Sequence, residues 1–234
     1  MHTEPSSPLP ARVTIFPAFP ELATPRLRLR EITADDVDWY LEHFSQPEIV
    51  RGTGFPPPAD RDAAMEELHR YVLDLFEARD GLRWGLTLHG ERRLIGSAGL
   101  FRWVDEPAPT GELGYDLHPA WWGRGLMTEA LAAILDVAFG RMRLARVEAL
   151  VFASNEASLR LLDRLGFARE ALLPAHGEDE SGVLRDDWRC ALEAGAWKRP
   201  PAVAHGVEGV PPSGARSRSM PSRTTSSPNS NSRS

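Results

Sequence analysis

Between Glu112 and Phe139 an alternating segment, a Trp-Trp-Gly-Arg-Gly turn and an apolar periodic segment follow one another without a break, and few folds accommodate that succession. Leu113, Tyr115 and Leu117 alternate with Glu112, Gly114 and Asp116, which predicts a strand with one buried face. Leu131, Ile134, Leu135 and Ala138 recur at helical spacing, so a helix over 128–139 buries one side. Gly123 and Gly125 lack a Cβ, which lets the connecting backbone curl its N–H groups toward one point. Those groups join the unpaired amides and positive dipole end of the helix as an anion site, and Arg124 adds a formal charge. A diphosphate suits such a cradle. A tight strand-to-helix connection with no ligand would use the same turn chemistry.

The details separate this turn from two other phosphate-binding turns. A P-loop ends in Gly-Lys-Ser/Thr and a dinucleotide fingerprint carries a third glycine, whereas Leu126 follows Gly125 and Thr128 stands three positions on. The segment Trp122, Gly123, Arg124, Gly125, Leu126, Met127 resembles the pyrophosphate motif Gln/Arg-x-x-Gly-x-Gly/Ala of the GNAT N-acetyltransferase superfamily. Trp122 and Met127 depart from it, and because the motif acts through backbone amides neither departure abolishes it. The longer form Trp122 to Ala130, with Thr128 inside it, looks like the ribosomal-protein-alanine N-acetyltransferase (RimJ/RimL-like) branch and its small-molecule relatives. A second GNAT signature runs from Asn155-x-x-Ser158 to Leu165-Gly166-Phe167, one helix and one strand later. The resemblance spans about residues 25–197 and implies an α/β (α+β) fold: a mixed, mostly antiparallel sheet of about seven strands flanked by helices, its strands splayed at an acetyl-coenzyme A (acetyl-CoA) site.

The remaining chain reads in the same order. Arg26 to Ile32 is a strand, Thr33 caps a helix through about Phe44, and 51–58 is a Gly- and Pro-rich loop. Asp60 caps a second helix with Met65, Leu68, Val72, Leu75 and Phe76 at helical spacing. Two strands, 83–88 and 94–103, precede the central segment, and 146–153 is the strand after it. Asn155 caps a helix that Gly166 stops, and 167–173 and 187–192 form a hairpin around an acidic loop at 176–186.

The resemblance also implies roles. Glu112 occupies the place of the general base that takes a proton from the substrate ammonium, which the chemistry requires because only a free amine attacks a thioester. A solvent-facing Glu on a half-buried strand is the plain alternative. The amide near Leu117 is placed to hold the thioester carbonyl, and Asn155 to meet the pantetheine arm or to act as a helix cap. Many members carry a Tyr that protonates the leaving thiolate. Here that position is Leu162, which has no proton to give, and Ser158 one turn earlier is the nearest donor unless its hydroxyl bonds backbone instead. His118 ranks below Glu112 as a titrating group.

Composition narrows the remaining classes. Residues from Arg199 onward carry five Arg and one Glu, so the rest of a chain of formal charge −6 is acidic, which opposes a nucleic-acid surface. It suits a cationic amine acceptor. No apolar run reaches the length of a membrane span and no secretory h-region opens the chain, while the single Cys190 fits a cytoplasmic location. No His/Cys cluster has metal-ligand spacing, so no metal is expected. Residues 1–24 read as a flexible extension, 25–198 as the acetyltransferase domain and 199–234 as a disordered Ser/Pro/Arg-rich tail. The expected activity is acetyl transfer from acetyl-CoA to a primary amine, either a protein N-terminus or a small molecule. A non-catalytic acyl-CoA sensor is the alternative, and a nucleotide-binding regulator rests on the glycine turn alone.

Overall fold

The computed structural model describes residues 16–104 and 108–200. Its strands are β1 Leu22–Ala23, β2 Leu27–Glu31, β3 Gly81–Leu88, β4 Gly96–Val104, β5 Thr110–Leu117, β6 Arg146–Phe152, β7 Ala168–Glu178 and β8 Leu184–Glu193. Its helices are α1 Val37–Phe44, α2 Pro47–Thr53, α3 Arg61–Leu68, α4 Asp74–Glu77, α5 Leu126–Asp136 and α6 Glu156–Leu165. One sheet in the order β1-β2-β3-β4-β5-β6-β8-β7 contains all eight strands. Every neighbouring pair is antiparallel except β5 with β6, which run parallel because α5 carries the chain across between them.

Two apolar layers enclose the sheet. α5 and α6 cover one face, where Leu113 and Leu117 of β5 meet Leu131, Ile134, Leu159 and Leu162. α5 is buried on nearly every side, from Leu126 to Leu135, as a helix running behind a sheet must be. On the other face Val37, Tyr40 and Phe44 of α1 pack with Leu68 of α3 and Ile49 of α2. Burying a Leu or Phe side chain in such layers contributes roughly 1.5–3 kcal/mol.

Several boundaries differ from the sequence reading. The sheet has eight strands, the additional one being β1, which pairs Leu22 with Leu29 and Ala23 with Arg28 inside the stretch read as a flexible extension. Phe16 is buried and Phe19 lies edge-on to Trp84, so aromatic burial outweighs the local proline content from residue 16 on. Residues 1–15 and 201–234, including nearly all of the expected tail, lie outside the described residues. Arg51 to Thr53 belong to α2, which ends at Gly54 in a left-handed conformation, so the loop is shorter than 51–58. α5 begins at Leu126, directly after Gly125, and winds on through Val137–Arg141. The last hairpin is also longer than its apolar pattern, because exposed strand ends need no buried face. His176 therefore lies on a strand and the turn closes at Asp179, whose carboxylate accepts Ser181 N, Val183 N and Arg185 Nε. Among the described residues no helix is long and apolar enough to cross a membrane, and no His/Cys/Asp/Glu group could hold a metal ion.

Candidate active site

The cradle assembles where β5 ends. His118 Nδ1 accepts the Ala120 amide at 3.1 Å and so caps the turn Pro119–Trp121. Burial, then the neighbouring His43, hold its imidazole below the ordinary value, which suits an accepting ring. Trp122 Nε1 donates to the Leu117 carbonyl at 2.5 Å and pins the turn to the strand it leaves. Gly123 and Gly125 then take φ of 73° and 71°, a region that a side chain disfavours. A Cβ at Gly123 would meet nothing within 4 Å, so the backbone there is open to a ligand. The first bond of α5 runs from Glu129 N to Gly125 O, which leaves the amides of Leu126, Met127 and Thr128 without a partner in the helix. No side chain caps them.

Cations frame these amides. The Arg124 guanidinium lies 4.7 Å over the Trp121 ring, and the Arg124 carbonyl accepts Arg26 Nη1. Glu129 accepts Thr24 Oγ1, Arg26 N and Arg26 Nε at 2.5–2.8 Å, fastening the start of β2 to the first turn of α5. Burial pushes its carboxyl up, but these bonds outweigh burial and hold it below the usual range. The cradle is thus fixed from a segment about a hundred residues away.

Beside the cradle the sheet opens. β5 pairs with β6 at Thr110, Gly111 and Glu112, and past Glu112 the two strands part. His118 N donates to Ile95 O on the β4 side, so strand alternation turns the amides of Tyr115 and Leu117 toward the gap. The Leu117 amide therefore lies beside the splayed edge.

Glu112 and Ser158 stand on opposite faces of β5. Glu112 sits at the closed end of the gap, opposite Glu148 of β6, and its Oε2 lies 3.1 Å from Arg102 Nη1. Arg102 reaches it from an irregularity in β4 with φ of 51°. Ser158, in the first turn of α6, does not bond backbone through its hydroxyl; its Oγ lies 2.5 Å from Tyr115 Oη. Asn155 Oδ1 accepts Ser158 N at 3.1 Å, confirming the cap, while its Nδ2 lies near the end of α2. Leu162 is wholly buried in the core and takes no part in the gap.

Three features escaped the linear reading. Asp116 is buried beneath α1 and accepts Ser97 N, Ser97 Oγ and Arg83 Nη2 at 3.0, 2.6 and 2.6 Å. His43 Nε2 lies 2.7 Å from Asp116 Oδ1, the oxygen that accepts Ser97 N, without hydrogen-bond alignment. On β8, Asp187 is buried and bonds half-exposed His176 at 2.9 Å. Phe152, at the open end of β6, fills the space beside both Gly54 and Gly177. Alternation had placed Asp116 on the face away from Tyr115, but its partners come from β3, β4 and α1.

The Gly54 contact makes a direct prediction. Gly54 has φ of 77°, and a Cβ there would lie 2.5 Å from the Glu178 carbonyl and 2.8 Å from the Phe152 ring. Gly54→Ala is therefore expected to lower stability by about 2 kcal/mol, measured by urea denaturation. An unchanged midpoint would show that α2 and β7 are free to separate.

Residues 26–168 match the acetyltransferase (GNAT) domain family. The chain is 33% identical over 155 residues to the uncharacterized N-acetyltransferase YoaA of Bacillus subtilis strain 168, covering 66% of this chain and 86% of that one. It is 30% identical over 156 residues to the [ribosomal protein uS5]-alanine N-acetyltransferase of Escherichia coli strain K12, covering 64% and 78%. The fold is similar to that of Mycobacterium smegmatis RimJ, solved in complex with CoA-disulfide, with a TM-score of 0.66, 22% identity and coverage of 77% and 90%.

Proposed function

Because this chain belongs to the GNAT acetyltransferase family, we propose that it transfers an acetyl group from acetyl-CoA to a primary amine by direct attack within a ternary complex. The observation that carries the reading is the junction of two devices. A cradle of unpaired amides at Gly123–Thr128 adjoins a gap in the sheet edged by the amides of Tyr115 and Leu117. The first suits a diphosphate and the second an extended pantetheine arm ending in a thioester, so one ligand with both parts fits them together. Trp122, Gly123, Arg124, Gly125, Leu126, Met127 and Thr128 hold the diphosphate, and Asn155 borders the arm.

Glu112 takes a proton from the acceptor ammonium on the face covered by α1 and α2, and the free amine adds to the thioester carbon. The Leu117 amide stabilises the oxyanion, and Ser158 faces the departing sulfur from the other side. Supporting a protein N-terminus as acceptor is the similarity to a uS5-alanine N-acetyltransferase.

The test is free-thiol release from acetyl-CoA against Ala- and Ser-starting peptides, aminoglycosides and polyamines. Release stimulated by one acceptor class identifies the substrate type. Tight coenzyme binding without release across the panel would instead make the chain an acyl-CoA sensor, and absence of binding would refute the cradle.

A further inference from the structure

The residue that a GNAT helix often supplies as a proton donor is Leu162 here, and it is buried in the core. A tyrosine nevertheless reaches the same region from the sheet. Tyr115 lies on β5 in the stretch that has parted from β6, packs against the core, and brings its Oη to 2.5 Å from Ser158 Oγ on α6. We infer, resting on the acetyl-transfer reading above, that Tyr115 is a positioning residue for thiol release: it donates its hydroxyl hydrogen to Ser158 Oγ and thereby turns the Ser158 hydrogen toward the coenzyme sulfur.

Either hydroxyl of the pair can donate in this geometry, and Tyr115 Oη also lies 3.5 Å from the Ser158 carbonyl; the inferred donor is Tyr115. Burial pushes the Tyr115 phenol well up, and the bond to Ser158 only partly offsets this, so the tyrosine keeps its proton. Of the other titratable groups that bear on it, Cys190 of β8 adds to the rise and Arg164 of α6 opposes it. A hydroxyl has one hydrogen to donate and two lone pairs to accept with. When Tyr115 fills one Ser158 lone pair, the Ser158 hydrogen must find another acceptor, and Asn155 fixes the backbone of that turn by accepting Ser158 N. As the tetrahedral adduct collapses, the C–S bond breaks and its electron pair passes to sulfur, where Ser158 meets it with a hydrogen bond. No proton leaves Tyr115. One amine proton has gone to Glu112, and the second, released as the amide forms, ends on the thiol or in solvent. The pair therefore stabilises the thiolate and does not act as its acid.

The test uses the full chain with free CoA, titrating the bound thiol by its thiolate absorbance, beside steady-state release from acetyl-CoA with an Ala-starting peptide. In Tyr115→Phe the acid constant of the bound thiol is expected to fall about ten-fold relative to the wild type, with CoA affinity at low pH unchanged. Ser158→Ala should give a similar change, the double variant no more than either, and Ser158→Thr should retain the wild-type value. kcat should drop about ten-fold in Tyr115→Phe while KM for acetyl-CoA stays the same. A bound thiol that titrates identically in Tyr115→Phe and the wild type would overturn the inference, as would losses in the two single variants that add in full. Ser158→Ala keeps the test decisive should Tyr115→Phe fold poorly, since a bound thiol insensitive to Ser158→Ala also overturns it. A wild type that shifts the thiol but releases none with any amine would sink the transfer reading and still support the Tyr115–Ser158 hold on sulfur.

Discussion

Glu112→Gln is expected to lower kcat/KM about 100- to 1000-fold while leaving acetyl-CoA binding intact, because the substitution removes a proton acceptor and keeps the shape of the side chain. The structure places this carboxylate where β5 and β6 part, on the face that α1 and α2 cover, away from the amide cradle at the start of α5. Loss of the base should therefore appear in turnover with acceptor and not in a coenzyme titration. Its partner Arg102 is largely exposed, and such pairs contribute under about 1 kcal/mol, so Arg102→Ala should scarcely change the melting temperature. Full activity in Glu112→Gln would remove Glu112 from the chemistry. Equal losses of turnover and of coenzyme affinity would mean that the carboxylate shapes the gap instead.

Asp116→Ala carries the largest expected effect on stability, a loss of about 3 kcal/mol or more by urea denaturation. It would leave Arg83, His43 and Ser97 without the carboxylate that joins them under α1. Asp116→Asn should lose less, since an amide oxygen still accepts Ser97 N. Burial pushes the Asp116 carboxyl up, yet His43, then Arg83 and Ser97, outweigh it and bring it down to about 2. A carboxyl depressed in the folded state stabilises fully above its unfolded value near 3.8, and that contribution is lost as pH falls from there toward about 2. The wild-type advantage over Asp116→Asn should accordingly shrink between pH 5 and pH 2.5. A constant difference across that range would show that the charge contributes nothing. Because Asp116 lies between Tyr115 and Leu117, the same network holds straight the strand whose amides face the gap.

Much of this was legible in the linear chain, and the limits have physical causes. The helix caps at Asp60 and Asn155, the left-handed stop at Gly166 and the left-handed pair Gly123 and Gly125 are local, set by side-chain reach or by a missing Cβ within a few residues. Amphipathic period likewise located β5, α5 and α6. The helical end of the 51–58 stretch was hidden because Gly52 and Gly54 read as a loop, although Pro47 at its first turn favours a helix start. β1 was hidden because two residues have no period. The curl of the cradle, by contrast, is set by consecutive residues, and so the turn from Trp122 to Thr128 could be read directly, whereas Arg26, which fastens it from about a hundred residues away, could not.

What the sequence by itself determined is therefore the succession of elements, the amide cradle at a helix start and the acidic character of the domain, since each depends on neighbours along the chain or on composition. Tertiary structure alone decided the rest. It joined Arg26 to Glu129, Arg83 and His43 to Asp116, and Tyr115 to Ser158, pairs separated by 103, 33, 73 and 43 residues. It also set where β5 leaves β6. Hydrogen-bond and ion-pair partners must come within about 3 Å, and only the order of strands in the sheet, which no local pattern encodes, brings such distant side chains that close.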